Sequence, residues 1–371
     1  MTEFEKVHDF TNLYAAYRKS RRGKREKDSV AKFEAGLLEQ IGILAEQLEN
    51  RTYKMSPYHS FMVYEPKKRV VMANSFRDKV VQHSLCDNAL EPIMQRSFIL
   101  DNYAVQVDKG THFGLDRLRE FMRSYFFSRK AAADEQRLAA GLAPLPTERG
   151  NYAEGWVLKC DVGRYFYSIP HASLKEMVRR HISDEGILWL VDIIIDSTDD
   201  PGIPIGNQTS QWFAIAYLNG LDHYVKERLG IRYYGRYMDD FFLIHESKEY
   251  LRRCRDEIIR YAGKLGLTLN SKTNIFPLRN GIDFLGFHTY LTETGKVIRK
   301  VRKASKERAK RKLRGQKKAL DRGETTLRHI EDSYQAWRNH ASHGNSYNIM
   351  RKTDAKFRKL FKESEKAWHK T

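Results

Sequence analysis

Cysteine is scarce in this chain. Cys86, Cys160 and Cys254 are the only three among 371 residues, and no two form a C-x-x-C pair. An odd number at such distances argues against a disulfide framework or a zinc site, and fits small buried apolar side chains in a reducing cytosol. Long hydrophobic runs are also missing. The best of them, "GILWLVDIIID", is short and interrupted by Asp192, well below the roughly 18 apolar residues of a spanning helix. The opening "MTEFEKVHDF" lacks the basic-then-apolar order of a secretory signal. No internal repeat is visible. Acidic residues are in deficit: 47 Asp and Glu stand against 66 Lys and Arg, a formal net charge of +19. That excess calls for a polyanionic partner. Nucleic acid is the first candidate, and an anionic membrane surface is the rival.

What is present suffices for a folded core, with 41% hydrophobic and 12% aromatic residues. The length corresponds to about two or three domain-sized units. A basic stretch, "YAAYRKSRRGKREKDS", precedes a helical pattern that puts Val30, Phe33, Leu37, Ile41, Leu44 and Leu48 on one face. "SFMVYEP" reads as a strand, and residues 78–94 as a helix with Val80, Val81, Leu85, Ala89 and Leu90 as its apolar face. Residues 128–155 are Ala-rich, then rich in Gly, Pro and polar residues, and read as a surface insertion. "GWVLKCDV" reads as a buried strand, "SQWFAIAYLNGLDHYVKERL" as one long helix, and "IRYYGRYMDDFFLIH" as strand, turn, strand. From about residue 299 the chain turns very basic and helical. The mixed order of strands and helices points to an α+β fold.

Within "RYMDDFFL" (236–243) two aspartates lie side by side in an aromatic and apolar run. A buried carboxylate costs several kcal/mol unless it is paired or bound to a metal. A surface turn explains the octet alone equally well, since Asp favours turns. As a hairpin tip the acids would repel unless a cation sat between them, and their oxygens suit Mg²⁺. Asp161, at the end of the apolar strand "VLKCD", is the candidate third acid; alone, it would read as a cap or turn residue. Such a set, holding two Mg²⁺ ions, would support in-line phosphoryl transfer to a 3′-hydroxyl. Gly202 and Gly206 in "GIPIGNQTSQ" (202–211) bracket a turn before a helix start, a place suited to phosphate.

The ordered set resembles the palm of a reverse transcriptase. "KCDVGRYFYSI" is similar to motif A, "GIPIGNQTSQ" to motif B, "YMDD" to motif C, "LGLTLNSKTN" to motif D and "DFLGF" to motif E, while "YEPKKRVVMANSFRDKVVQHSLCDNALEP" resembles the fingers motifs. The resemblance implies a right-hand polymerase with fingers, palm and a C-terminal helical thumb. Its implied organisation is a basic helical extension (1–59), fingers (60–127), the insertion (128–155), a palm (156–298) and a basic thumb (299–371), with no room after the thumb for a nuclease domain. The I-G-x-x-x-S-Q form of motif B, together with "YRKSRRGKR", "MVYEPKKR", "DKGTHFG" and "SYQAWRNHASHGNSYNI", looks like the enzymes of diversity-generating retroelements. Those copy a template RNA with frequent errors opposite adenine. Antiphage defence reverse transcriptases share the motifs and keep a second role open, and a non-catalytic RNA-binding module is a third.

The resemblance implies roles residue by residue. Asp161 and Asp239 would be the main ligands of two Mg²⁺ ions (or of Mn²⁺ in their place), with Asp240 the weaker partner. Lys67 and Arg69 would meet the triphosphate. Phe166 occupies the steric-gate position that excludes a ribose 2′-hydroxyl. Ile205, Gly206 and Gln211 would lie at the nucleotide or template, with the apolar residue at 205 tied to low fidelity. Lys272 would be a general acid toward pyrophosphate. Implied partners are a template RNA, a primer, deoxynucleoside triphosphates, and a basic accessory protein or a dedicated non-coding RNA. A cytoplasmic protein with no membrane attachment is expected.

Overall fold

Local signals start the helices where side chains can satisfy the first free amides. Thr2 and Glu5 form a reciprocal capping box at Glu3–His8. Ser75 caps Phe76–Leu85, and the Asp78 carboxylate in its first turn accepts from Ser75 Oγ (2.7 Å), Ser56 N (3.1 Å) and Tyr53 Oη (2.7 Å). That carboxylate is fully buried and fully partnered. In this computed structural model residues 1–64 and 68–368 are described, with backbone alone for 362–368. The helix expected to run from Val30 to Leu48 is two, Asp28–Ala35 and Leu37–Glu49, broken at Gly36. Val30, Phe33, Ile41, Leu44 and Leu48 are buried as the periodicity requires. The long helix expected from Ser210 breaks at Leu218, giving Gln208–Tyr217 and Asn219–His223.

The chain folds into two units that interleave along the sequence. The first comprises Met1–Gly110, Leu158–Leu243 and Glu249–Asn274. Its fingers hairpin pairs β1 (His59–Val63) with β2 (Arg69–Ala73) in antiparallel register, His59 opposite Ala73 and Val63 opposite Arg69. A four-stranded sheet of order β4-β5-β3-β6 is made of β3 (Trp156–Asp161), β4 (Tyr233–Tyr237), β5 (Asp240–His245) and β6 (Asn274–Pro277), with β4 and most of β3 and β5 in this unit. Leu158, Cys160, Tyr234, Phe241, Phe242 and Leu243 of these strands are buried. All three cysteines are free thiols and buried.

The second unit comprises Thr111–Val157, Ile244–Lys248 and Ile275–Thr371. A 29-residue helix, Thr111–Ala139, runs straight across position 128, so the expected insertion begins inside a helix rather than at a break. A three-stranded antiparallel sheet, β7 (Ile282–Phe284), β8 (Phe287–Leu291) and β9 (Val297–Val301), follows. Strand β9 takes the residues expected to open the thumb helix. That helix starts at Lys303 and runs to Asp321, joined by Leu327–Ser342 and Tyr347–Trp368. Leu313, Ile330, Tyr334 and Phe361 form the apolar core of this helical trio. Among the described residues no helix is long and apolar enough to cross a membrane.

Candidate active site

Strands β4 and β5 are joined by a two-residue turn, Met238–Asp239. Met238 takes the left-handed conformation (φ 56°), rare for a residue with a long side chain. Just before the turn, Gly235 packs so tightly that a Cβ there would overlap the Tyr103 hydroxyl and lie 2.9 Å from Phe242 Cζ. The turn carries Asp239 to the end of β3, where Asp161 sits. The Val162 amide donates to the Asp239 carbonyl at 3.3 Å, and the two carboxyls are close enough for each to feel the other's charge. Burial, and then the Asp161 charge, push the Asp239 carboxyl up to about 6, and Arg69 offsets this only in part. Two acids held together in this way share a proton unless a cation replaces it.

Asp240 does not join them. It opens β5, and alternation along the strand turns it away from Asp239 into an ion pair with Lys159 of β3. Among the described residues no group of three or more His, Cys, Asp or Glu side chains is placed to hold a metal ion. The structure thus brings together two of the three expected acids.

The other expected residues are held by main-chain ties. The Met72 amide on β2 donates to the Ile205 carbonyl at 3.2 Å. Gly206 (φ 124°) lies so close that a Cβ would meet Met72 O at 3.0 Å and Val71 Cγ1 at 3.2 Å. Only glycine fits that conformation and that approach. The Ile203 amide donates to the Phe166 carbonyl at 2.7 Å, which couples the motif B turn to the helix after Asp161. The Phe166 ring is half-buried, edge-on to Tyr165. Arg69 is exposed at the start of β2, and Gln211 is exposed one turn into its helix. Lys272 is exposed on a turn that Asn270 anchors by donating to the Asp161 carbonyl at 2.7 Å. Lys67 lies outside the described residues.

Sequence reading missed a cavity of about 460 Å³ beside motif B. Lys19, Lys24 and Lys79 line it, with Asn74, Gln82 and His83 and, on the motif B side, Gly206, Asn207, Gln208 and Gln211. Asn74 is 5% exposed, and among the described residues none bonds either of its amide atoms. Gln82 Nε2 and Asn207 Oδ1 are likewise buried without a partner. Unpaired buried amides are costly, and Glu91, Val105, Val107 and Trp212 complete the lining. Burial is the main cause that pushes His83 down to about 4, against a smaller upward pull from Asp87. Nothing in the sequence marks Asn74 or Gln82 beyond their being polar residues in apolar surroundings.

The family model described as "Reverse transcriptase (RNA-dependent DNA polymerase)" matches residues 66–289. Protein YkfC of Escherichia coli (strain K12) is 25% identical over 300 residues, which cover 68% of this chain and 72% of that protein. Apo telomerase from Candida tropicalis is similar in structure at 15% identity and a TM-score of 0.48, over 83% of this chain and 60% of that one. The same telomerase without its C-terminal domain matches at 13% identity and a TM-score of 0.46, over 68% and 58%. The chain therefore spans less than two thirds of these telomerase chains.

Proposed function

The chain belongs to the reverse transcriptase (RNA-dependent DNA polymerase) family, and on that premise we propose that Asp161 and Asp239 form the metal-binding centre at which it extends a primer on an RNA template. The observation that carries this is the acid pair itself. Two half-buried carboxyls meet at the end of β3, and one is held near 6 by burial and by the other. Excess negative charge on oxygen donors fits a hard divalent cation such as Mg²⁺, with Mn²⁺ able to take its place. When bound, such ions neutralise charge at both ends of an in-line displacement. Asp240, tied to Lys159, is the outer partner.

The remaining roles follow from position. Arg69, whose charge reaches Asp239, holds the triphosphate of the incoming deoxynucleotide. Phe166, tethered to motif B, is the sugar gate. Lys272 stands on the turn anchored to Asp161 and serves as the proton donor toward pyrophosphate. The cavity with Lys19, Lys24 and Lys79 takes the template strand, its lysines meeting phosphates and its unpaired amides meeting bases or sugars. Ile205 and Gln211 give motif B the form of the error-prone, diversity-generating type, since Ile205 presents no hydrogen-bonding side chain where an amide would.

Primer extension on an RNA template with purified protein tests the core of this reading. Asp239→Ala should abolish dNTP incorporation while leaving the thermal melt of the fold in place. Full activity in that variant would remove the acid pair from the mechanism. For the fidelity reading, Ile205→Gln should lower misincorporation opposite adenine, and an unchanged error spectrum in sequenced products would refute it.

A further inference from the structure

One arginine of "RYMDD" is wholly inside the protein. Arg236 and Asp222 are both 0% exposed and meet in a bidentate pair, Nε to Oδ1 at 2.6 Å and Nη2 to Oδ2 at 2.5 Å. Tyr234 Oη also donates to Asp222 Oδ1 at 2.6 Å. Arg236 has donors to spare. Its Nη2 reaches the Ile215 carbonyl at 3.0 Å, and its Nη1 reaches the Met238 carbonyl at 2.8 Å. Its main chain is pinned as well: its amide donates to the Asp101 carbonyl and its carbonyl accepts from Tyr103 N, both at 2.9 Å.

A buried ion pair is an expensive way to fill a core. Apolar residues of similar volume are often as stable or more so. What they could not supply is a donor aimed at the Met238 carbonyl. That carbonyl belongs to the peptide linking Met238 to Asp239, in a turn whose left-handed residue is strained and persists only where its surroundings fix it. We propose that Arg236, oriented by Asp222, is the positioning residue of the active-site turn, fixing the Met238–Asp239 peptide so that Asp239 stays aimed at Asp161. This rests on the reading of Asp161 and Asp239 as cation ligands.

The test replaces the pair by apolar residues, Arg236→Met with Asp222→Leu, in the full chain. Three quantities are measured: the thermal melt, Mn²⁺ binding without substrate by paramagnetic resonance of the free ion, and kcat and KM in primer extension. The fold should survive. Mn²⁺ affinity and kcat should each fall by about 10-fold or more, the range for lost support of a metal site, with KM for dNTP little changed. A folded double variant with wild-type Mn²⁺ affinity and kcat overturns the proposal. Should that variant fail to fold, Arg236→Lys keeps a charge opposite Asp222 but cannot also span to Met238. Weaker Mn²⁺ binding in it supports the proposal, and undiminished binding overturns it. If wild type and Asp239→Asn bind Mn²⁺ equally, the acid-pair reading itself is defeated, and this inference falls with it.

Discussion

At the scale of single residues, Asp239 has the most sharply defined chemistry. Its ordinary value is 3.8, and the fold raises it to about 6. Without a divalent ion the folded state therefore binds a proton more tightly than the unfolded chain. Stability from this group is present below 3.8 and is lost as pH rises through 6, by up to about 3 kcal/mol. Asp239→Asn should remove that loss. Urea unfolding in EDTA should show the variant gaining on wild type between about pH 4 and pH 6 and holding that gain above it; a constant difference across that window would mean that the acids do not burden one another. Phe166 gives a second test at this scale. Phe166→Ala should let ribonucleotides enter at the primer end, and unchanged sugar selection in an extension assay would take the gate away from this ring.

At the scale of elements, the catalytic hairpin works because its strands are packed without slack. Gly235 is the tightest point, since a methyl there would strike the Tyr103 hydroxyl and crowd Phe242. Overpacking of this kind costs roughly 1–3 kcal/mol, so Gly235→Ala should lower stability by that order. Adding Tyr103→Phe should restore part of it, and a double variant no better than the single would move the strain elsewhere. The same elements show what sequence could convey. Short, nearly continuous apolar runs made β3, β4 and β5 legible, and the resemblance of the motifs around them pointed to Asp161 and Asp239. The hairpin tip implied that Asp240 joins Asp239 as a ligand; that Lys159 meets it instead was not legible, because cross-strand register is a tertiary fact. The helix break at Gly36 was missed because the apolar spacing runs on through it. Strand β9 was missed because "VIRKV" reads equally well as the start of a basic helix. Arg236, Asn74 and Gln82 carry no local signature at all. What distinguishes them is burial, and for Arg236 the direction of its donors.

At the scale of the whole molecule, the net charge of +19 is large but not uniformly useful. In the first unit, Lys19 is already paired with Asp87 at 2.6 Å, while Lys79 is held in its charged form less easily because it is buried and stands beside Lys24 and Lys27. In the second unit the helix Lys303–Asp321 carries a dense basic surface. If RNA phosphates meet the cavity, each neutralised phosphate contributes a slope of about 0.7 to the dependence of log affinity on log salt for a single strand. Lys24→Gln and Lys79→Gln should each flatten that slope by about this amount, whereas Lys19→Gln should do less because Asp87 already balances it. Fluorescence anisotropy of a labelled single-stranded RNA titrated with NaCl reads the slopes directly. Equal slopes in wild type and the Lys24, Lys79 double variant would empty the cavity of its template and leave the basic surface of the second unit as the place where RNA is held.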